Sequence, residues 1–391
     1  LYDRLMQLPI RPDFPYYEPD ELDRVRSASP PGPRRLKFRL SERGLRDRIR
    51  GAFLGRCAGC LLGKPVEGWD HERIVAALKN DRAFPLNGYF RESTLRRAGL
   101  SQLPRHCLRG AIRYMPRDDD IDYTILGIHY LREYGPGFSL EDVAREWLGR
   151  LPYHRVYTAE RAAYRNLVQA VPLEQCGIVH NPYREWIGAQ IRADGLGYCA
   201  AGLPARAAEF AYRDGFLSHR KNGIYGEMFF AAMIAAALVS DDLSQPIQAG
   251  LAQIPRQSRL AEAIRDVQNW AQQHRDWQQT CQAIRHKYGH YHPVHTINNA
   301  AVVVMALLHG RLDFGKTIAI AVMAGWDTDC NAATAGSVAG AILGAENLPA
   351  RWIRPLRDHL RSFVVGYDHC SITQIADNAY EVSRRLRRRR S

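Results

Sequence analysis

Residues 51–63 read Gly51-Ala52-Phe53-Leu54-Gly55-Arg56-Cys57-Ala58-Gly59-Cys60-Leu61-Leu62-Gly63, with a glycine at every fourth position. A helical period of 3.6 puts such positions on one face. Each glycine costs a helix about 1 kcal/mol against alanine. A row of them makes sense where a second backbone must come close. The same spacing returns at Gly336, Gly340 and Gly344. The two stretches are expected to be helices that cross tightly against each other, bringing the loops beyond them together at one end.

Working outward, the rest of the chain also reads as helix. After Asp120, the apolar residues Ile121, Ile125, Ile128 and Leu131 step at helical spacing. Ser139-Leu140-Glu141-Asp142 has the form of a capping box, with Asp in place of the usual Glu. Alternating β-branched runs are scarce. The expected fold class is all-α, a compact multi-helix single domain over residues 45–383. Residues 1–44, rich in Pro, Arg and Tyr, are expected to form an arm along the body. Residues 80–117 are expected to be a long loop over the site. Residues 384–391 are expected to be an Arg-rich tail, solvated at the end of the chain.

The bulk numbers narrow the class. The chain has 391 residues, 46% of them hydrophobic and 24% charged, enough for one large core. The most apolar stretch, from Ala300 to Trp326, is interrupted by His309, Arg311, Asp313 and Lys316. No membrane span is expected, so the glycine rows are not a membrane packing motif. The first residues show no secretory signal, and the eight cysteines are scattered. A cytoplasmic protein with reduced thiols is the expectation. Cys57 and Cys60 form a C-x-x-C without a second pair, and are expected to be packing residues. The net charge is +13, much of it in the terminal arginines. A basic balance suits an anionic substrate such as a pyrophosphate. No aromatic residues interleave the arginine run, so no nucleic-acid partner is expected.

Two acidic clusters carry the chemistry. Asp118-Asp119-Asp120-Ile121-Asp122 stands directly before one helix, and Gly325-Trp326-Asp327-Thr328-Asp329-Cys330-Asn331 before another. A single aspartate at a helix start is an ordinary cap. Several together repel unless a cation offsets them, and hard divalent cations take oxygen ligands. Neither cluster has the order of a calcium loop. Asp194-Gly195-Leu196-Gly197-Tyr198 reads as a glycine turn able to bring backbone amides near phosphates. The segment from Ser218 to Glu227 holds His219, Gly223 and Tyr225. His219 is expected to hydrogen-bond substrate there, or to be a satisfied loop residue. Trp326 is expected to stack on a base or to pack. His290, His292 and His295 are expected to hydrogen-bond and pack rather than to bind zinc.

The stretch from Gly51 through Glu67, the aspartates at 118, 119 and 120, and the stretch from Gly325 through Asn331 with Ala335-Gly336 resemble the ADP-ribosylglycohydrolase family in order and spacing. The resemblance covers about residues 45–365. It implies the all-α fold of that family and a binuclear magnesium site. By position it assigns Glu67, Asp118, Asp119, Asp120, Asp327, Asp329 and Cys330 to the metal. Asp118 stands where many members have Thr, and so does Cys330. A thiol is a poor ligand for magnesium, so either the metal loses one ligand to water or a softer ion such as manganese is tolerated. Asp119, Asp120 and Glu67 are the candidates for orienting the attacking water. The segments holding Asp194, Gly195 and Gly197, and His219, Gly223 and Tyr225, fall on the family's substrate wall. The implied function is magnesium-dependent hydrolysis of the bond between ribose, in ADP-ribose, and an acceptor. The implied partner is an ADP-ribosylated protein or a small ribosylated molecule. The alternatives are hydrolysis of another N-ribosyl compound and a catalytically impaired ADP-ribose-binding protein.

Overall fold

The computed structural model describes residues 2–388. Among these residues, twenty α-helices carry most of the fold. Isolated bridges aside, the β-structure among the described residues is one short ribbon. It pairs His359–Arg361 antiparallel with His369–Ser371, Leu360 opposite Cys370. Among the described residues no helix is long and apolar enough to cross a membrane.

The glycine rows build the centre. The first glycine helix, Glu42–Gly63, starts at Ser41, whose hydroxyl accepts the Gly44 N–H at 3.0 Å. The second spans Thr328–Leu343. A Cβ on Gly51 would lie 2.5 Å from the Gly340 carbonyl oxygen, and one on Gly55 2.2 Å from that of Gly336. At Gly59 the distance is 1.9 Å to Ala332 O, and at Gly63 it is 2.2 Å to Thr328 O. As one number rises the other falls, so the helices run antiparallel with their backbones in contact. Close packing of this kind gains dispersion energy that side chains would block. Its geometric consequence is local. The end of the first helix, with Lys64 and Glu67 beyond it, lies beside the start of the second, with Asp327 and Asp329. The Thr328 hydroxyl fixes this junction by donating to Gly63 O at 2.9 Å.

A third helix, Asp119–Glu133, brings the other acidic cluster to the same end. The guanidinium of Arg56, fully buried on the first glycine helix, holds it there. Its Nε and Nη2 donate to the Asp120 carbonyl at 3.2 and 2.9 Å. Farther out, Ser139 and Asp142 form the capping box expected of them: the Ser139 hydroxyl accepts the Asp142 N–H, and Asp142 Oδ2 accepts the Ser139 N–H at 2.9 Å.

Three segments differ from expectation or extend it. Residues 80–117 are not one long loop: they contain the helix Glu92–Arg97 and a single 3-10 turn at Arg105–Cys107. Elements that short carry too few turns for hydrophobic periodicity to show. The first 44 residues include the helix Leu22–Ala28 and lie against the body. Glu18 is ion-paired to Arg259 at 2.7 Å, Asp20 accepts the Lys221 N–H at 2.8 Å, and the Leu36 N–H donates to Gly202 O at 2.9 Å. At the other end the last helix, Ile372–Arg388, runs past the tail boundary placed at residue 384. Its apolar face buries Ile375, Ala379 and Val382. Arg384 and Arg387 lie along it, paired to Glu381 at 2.7 Å and to Glu42 at 3.1 Å. An amphipathic helix keeps its arginines on the polar side, and their abundance concealed the helix. Residues 389–391 of the expected tail lie outside the described residues.

Candidate metal centre

Asp118 caps the helix Asp119–Glu133, with Oδ1 accepting the Asp120 N–H at 3.1 Å. Its Oδ2 is ion-paired to Lys64 Nζ, which reaches in from the turn after the first glycine helix. Asp120 is fully buried, and its Oδ1 accepts from Arg56 Nη2 at 2.9 Å. Arg56 continues to Asp194 Oδ2, 2.8 Å away. On the other side, Gly325 and Trp326 take φ values of +83° and +65°. A Cβ on Gly325 would lie 2.7 Å from His71 N, so glycine is needed there for both conformation and space. This turn is tied to the loop bearing Glu67. The Trp326 N–H donates to Trp69 O at 2.9 Å, and the Gly68 N–H donates to Trp326 O at 2.9 Å. Beyond it, the Asp327 N–H and the Asn331 side chain both donate to Asn299 Oδ1, at 3.4 and 2.8 Å.

The two clusters meet. Donor atoms of Cys60, Asp118, Asp120 and Asp329 lie within 4.8 Å of one another, and so do those of Asp327, Asp329 and Cys330. Asp329 belongs to both groups. Asp119 is half-buried and Glu67 exposed, so these two face solvent at the rim.

The electrostatics are those of a crowded carboxylate site. Burial, and then the neighbouring Asp118 charge, push Asp119 up to about 8. The Asp329 charge, ahead of the other causes, pushes Glu67 up to about 9. Burial raises Asp120, Asp327 and Asp329 as well, with neighbouring carboxylates adding to it. Asp118 is the exception. Burial opposes its charged form, but the Lys64 ammonium outweighs burial and holds the carboxyl below its usual range.

Buried Asp120 Oδ2 and Asp329 Oδ1 have no hydrogen-bond partner. An orphaned carboxylate oxygen in the interior is costly. Two of them, among carboxylates that raise each other's pKa, fit a divalent cation that takes oxygen donors. The residues present therefore suit a metal.

The sequence-derived substrate residues are placed differently. Asp194, Gly195 and Gly197 are not in a turn but in the helix Ala193–Cys199. The glycines there serve packing: a Cβ on Gly195 would lie 2.3 Å from Thr124 O, and one on Gly197 2.9 Å from Ala231 O. Asp194 lies behind Asp120, joined to it through Arg56. His219 is fully buried, with Nδ1 2.8 Å from Ser218 Oγ. It sits beside a second buried charge cluster, where Arg192 pairs with Glu160 at 2.8 Å and Asp214 at 2.5 Å. Gly223 packs against the Arg184 carbonyl, and the Tyr225 hydroxyl donates to Pro19 O of the N-terminal arm. In these segments the glycines that resembled turn formers permit helix contacts. Trp326 is 9% exposed, with the Arg285 guanidinium 5.4 Å from its ring centre. His292 stacks on Trp186 with ring centres 4.1 Å apart, and His295 Nδ1 accepts the Ile297 N–H at 3.2 Å, both packing and capping roles.

Three residues of the centre had no assigned role in the sequence. Cys60, expected only to pack, has its thiol among Asp118, Asp120 and Asp329. Lys64 and Arg56 are its internal cations. The helical register offered a signal for two of them, since Arg56 and Cys60 are four residues apart on the same helix.

A profile described as ADP-ribosylglycohydrolase matches residues 41–389, and the chain belongs to that family. It is a glycosidic-bond hydrolase. One solved structure, described as an ADP-ribosylglycohydrolase-related protein complex, superposes with a TM-score of 0.56 at 20% identity, covering 88% of this chain and 99% of that one. At that identity the likeness concerns the fold. No curated protein matches the sequence.

Proposed function

We propose that the protein hydrolyses the bond between the anomeric carbon of ADP-ribose and an acceptor, with a divalent cation held between the two aspartate clusters. Magnesium is the expected ion and manganese the softer alternative. The observation that carries this reading is the meeting of the clusters around the orphaned Asp120 and Asp329 oxygens. Asp120, Asp327 and Asp329 would hold the ion. When bound, such a cation supplies Lewis acidity and a lowered pKa for water.

The chain's own residues do the rest. Asp119 is half-exposed, and a bound cation would offset the neighbouring carboxylates that raise it, leaving its carboxylate able to accept a proton. We assign it to orient the attacking water and accept its proton. Asp120, buried and held by Arg56, stays in place as a ligand. Glu67 stands at the rim where the acceptor would leave. Cleavage builds oxocarbenium-like positive charge on the ribose, which the surrounding carboxylates stabilise by preorganised electrostatics. The net charge of +13 favours approach of a pyrophosphate-bearing substrate.

The test is incubation with ADP-ribosylated arginine, with ADP-ribosylated serine and with simple nucleosides, each with magnesium or with a chelator. Release of free ADP-ribose only where the ion is present supports the proposal. Ribose released from nucleosides alone would move the substrate class. Folded protein that releases nothing from any of them would overturn it.

A further inference from the structure

We infer that Lys64 acts as a built-in cation: its ammonium takes the place of one metal ion, and the centre binds a single divalent ion on the side of Asp327, Asp329 and Cys330. The inference rests on the metal reading above and fixes the number of ions and their position.

Both oxygens of Asp118 are already committed. One accepts the Asp120 N–H at 3.1 Å, and the other is ion-paired to Lys64 Nζ. Asp118 is therefore satisfied without a metal. Lys64 is no surface lysine that happens to reach it, since its side chain is only 26% exposed. Pro65 and the 3-10 turn Lys64–Val66 hold its backbone at the end of the first glycine helix. Of the remaining donors on that side, Asp120 already has one oxygen on Arg56, and Cys60 offers a thiol, as Cys330 does on the other side. A dication placed within this group would also face the Lys64 ammonium, with like charges close together in a buried site. On the other side, Asp327, Asp329 and Cys330 bring their donors within 4.8 Å of one another; the Lys64 charge reaches Asp329 as well, but its ion pair is with Asp118. Asp329, whose Oδ1 is orphaned, belongs to both groups, and Asp120, whose Oδ2 is orphaned, belongs to the first. An ion held at Asp329 would satisfy its orphaned oxygen.

The test uses the full chain and manganese as the probe, titrated by calorimetry and followed by electron paramagnetic resonance. Wild type is expected to bind one ion, with the spectrum of isolated manganese. Lys64→Met keeps the length of the side chain and removes the charge. It is expected to bind two, with the broadened signal of a spin-coupled pair. Lys64→Arg is expected to stay at one. Two ions in wild type would overturn the inference, and so would a folded Lys64→Met protein that still binds one. If Lys64→Met does not fold, the wild-type count decides alone. Wild type that binds no manganese would instead overturn the metal reading beneath it.

Discussion

Cys330 shows how much a single side chain can set. It lies beside Asp327 and Asp329, and burial holds its thiol far above the usual range, so at neutral pH it is protonated without metal. A neutral thiol is a weak donor to magnesium. Cys330→Thr offers a hydroxyl in nearly the same volume. The magnesium concentration for half-saturation is expected to fall by roughly tenfold, about 1.4 kcal/mol, with a smaller change for manganese; titration of both ions against both proteins checks it. This position was legible because the aspartates flanking it announce a ligand set. Lys64 was not. Asp118, the partner of Lys64, is far away in sequence, and nothing local marks a lysine as facing inward.

Among the elements, the antiparallel glycine helices decide where the site forms. Their crossing was legible, because a row of glycines has few other uses where no helix of the described residues is long and apolar enough to cross a membrane. Gly59→Ala would put a Cβ 1.9 Å from Ala332 O. The overpacking is expected to outweigh any gain in helix propensity and to destabilise the fold by about 2 kcal/mol or more. Gly149→Ala, at an exposed position with open space around it, is expected to stabilise by up to about 1 kcal/mol. Denaturant unfolding of the pair tests whether the glycine row is there for backbone contact. The final helix docks on the first glycine helix through Asp377, which accepts from Arg46 at 2.6 Å and Arg50 at 2.8 Å. Burial opposes its charge, yet the two arginines bring the carboxyl down to about 2. A depressed carboxyl stabilises the fold above its unfolded value, near 4. That stability is lost as the pH falls through about 2. Asp377→Asn is expected to cost about 1 kcal/mol at pH 7, a modest figure because the arginines are partly exposed. The gap from wild type should narrow steadily below pH 4 in unfolding titrations. The short helix Glu92–Arg97 and the end of the last helix were not legible, one for lack of length and the other because its arginines read as a tail.

At the scale of the whole molecule, the site is an intersection. The glycine crossing brings Glu67 to Asp327, Arg56 ties the Asp118–Asp120 segment to the same end, and the turn at Gly325 closes the loop between them. The all-α class and both acidic clusters could be read from sequence, since each is written in a continuous stretch. The segments around Asp194 and His219 could not be placed. Glycines serve turns and tight helix contacts alike, and only the assembled chain shows that here they pack. The carboxylates crowd together at a cost that a bound cation would remove, so binding should appear as stability. The most direct measurement is a thermal melt of wild type and Asp327→Ala in chelator, in magnesium and in manganese. Wild type is predicted to gain several degrees with either ion, since an ion at a hundred times its Kd contributes about 2.7 kcal/mol. Asp327→Ala is predicted to gain nothing, while melting in chelator no lower than wild type because a buried repulsion has gone. An equal shift in both proteins, or none in wild type, would contradict the assignment of the two clusters to one metal centre.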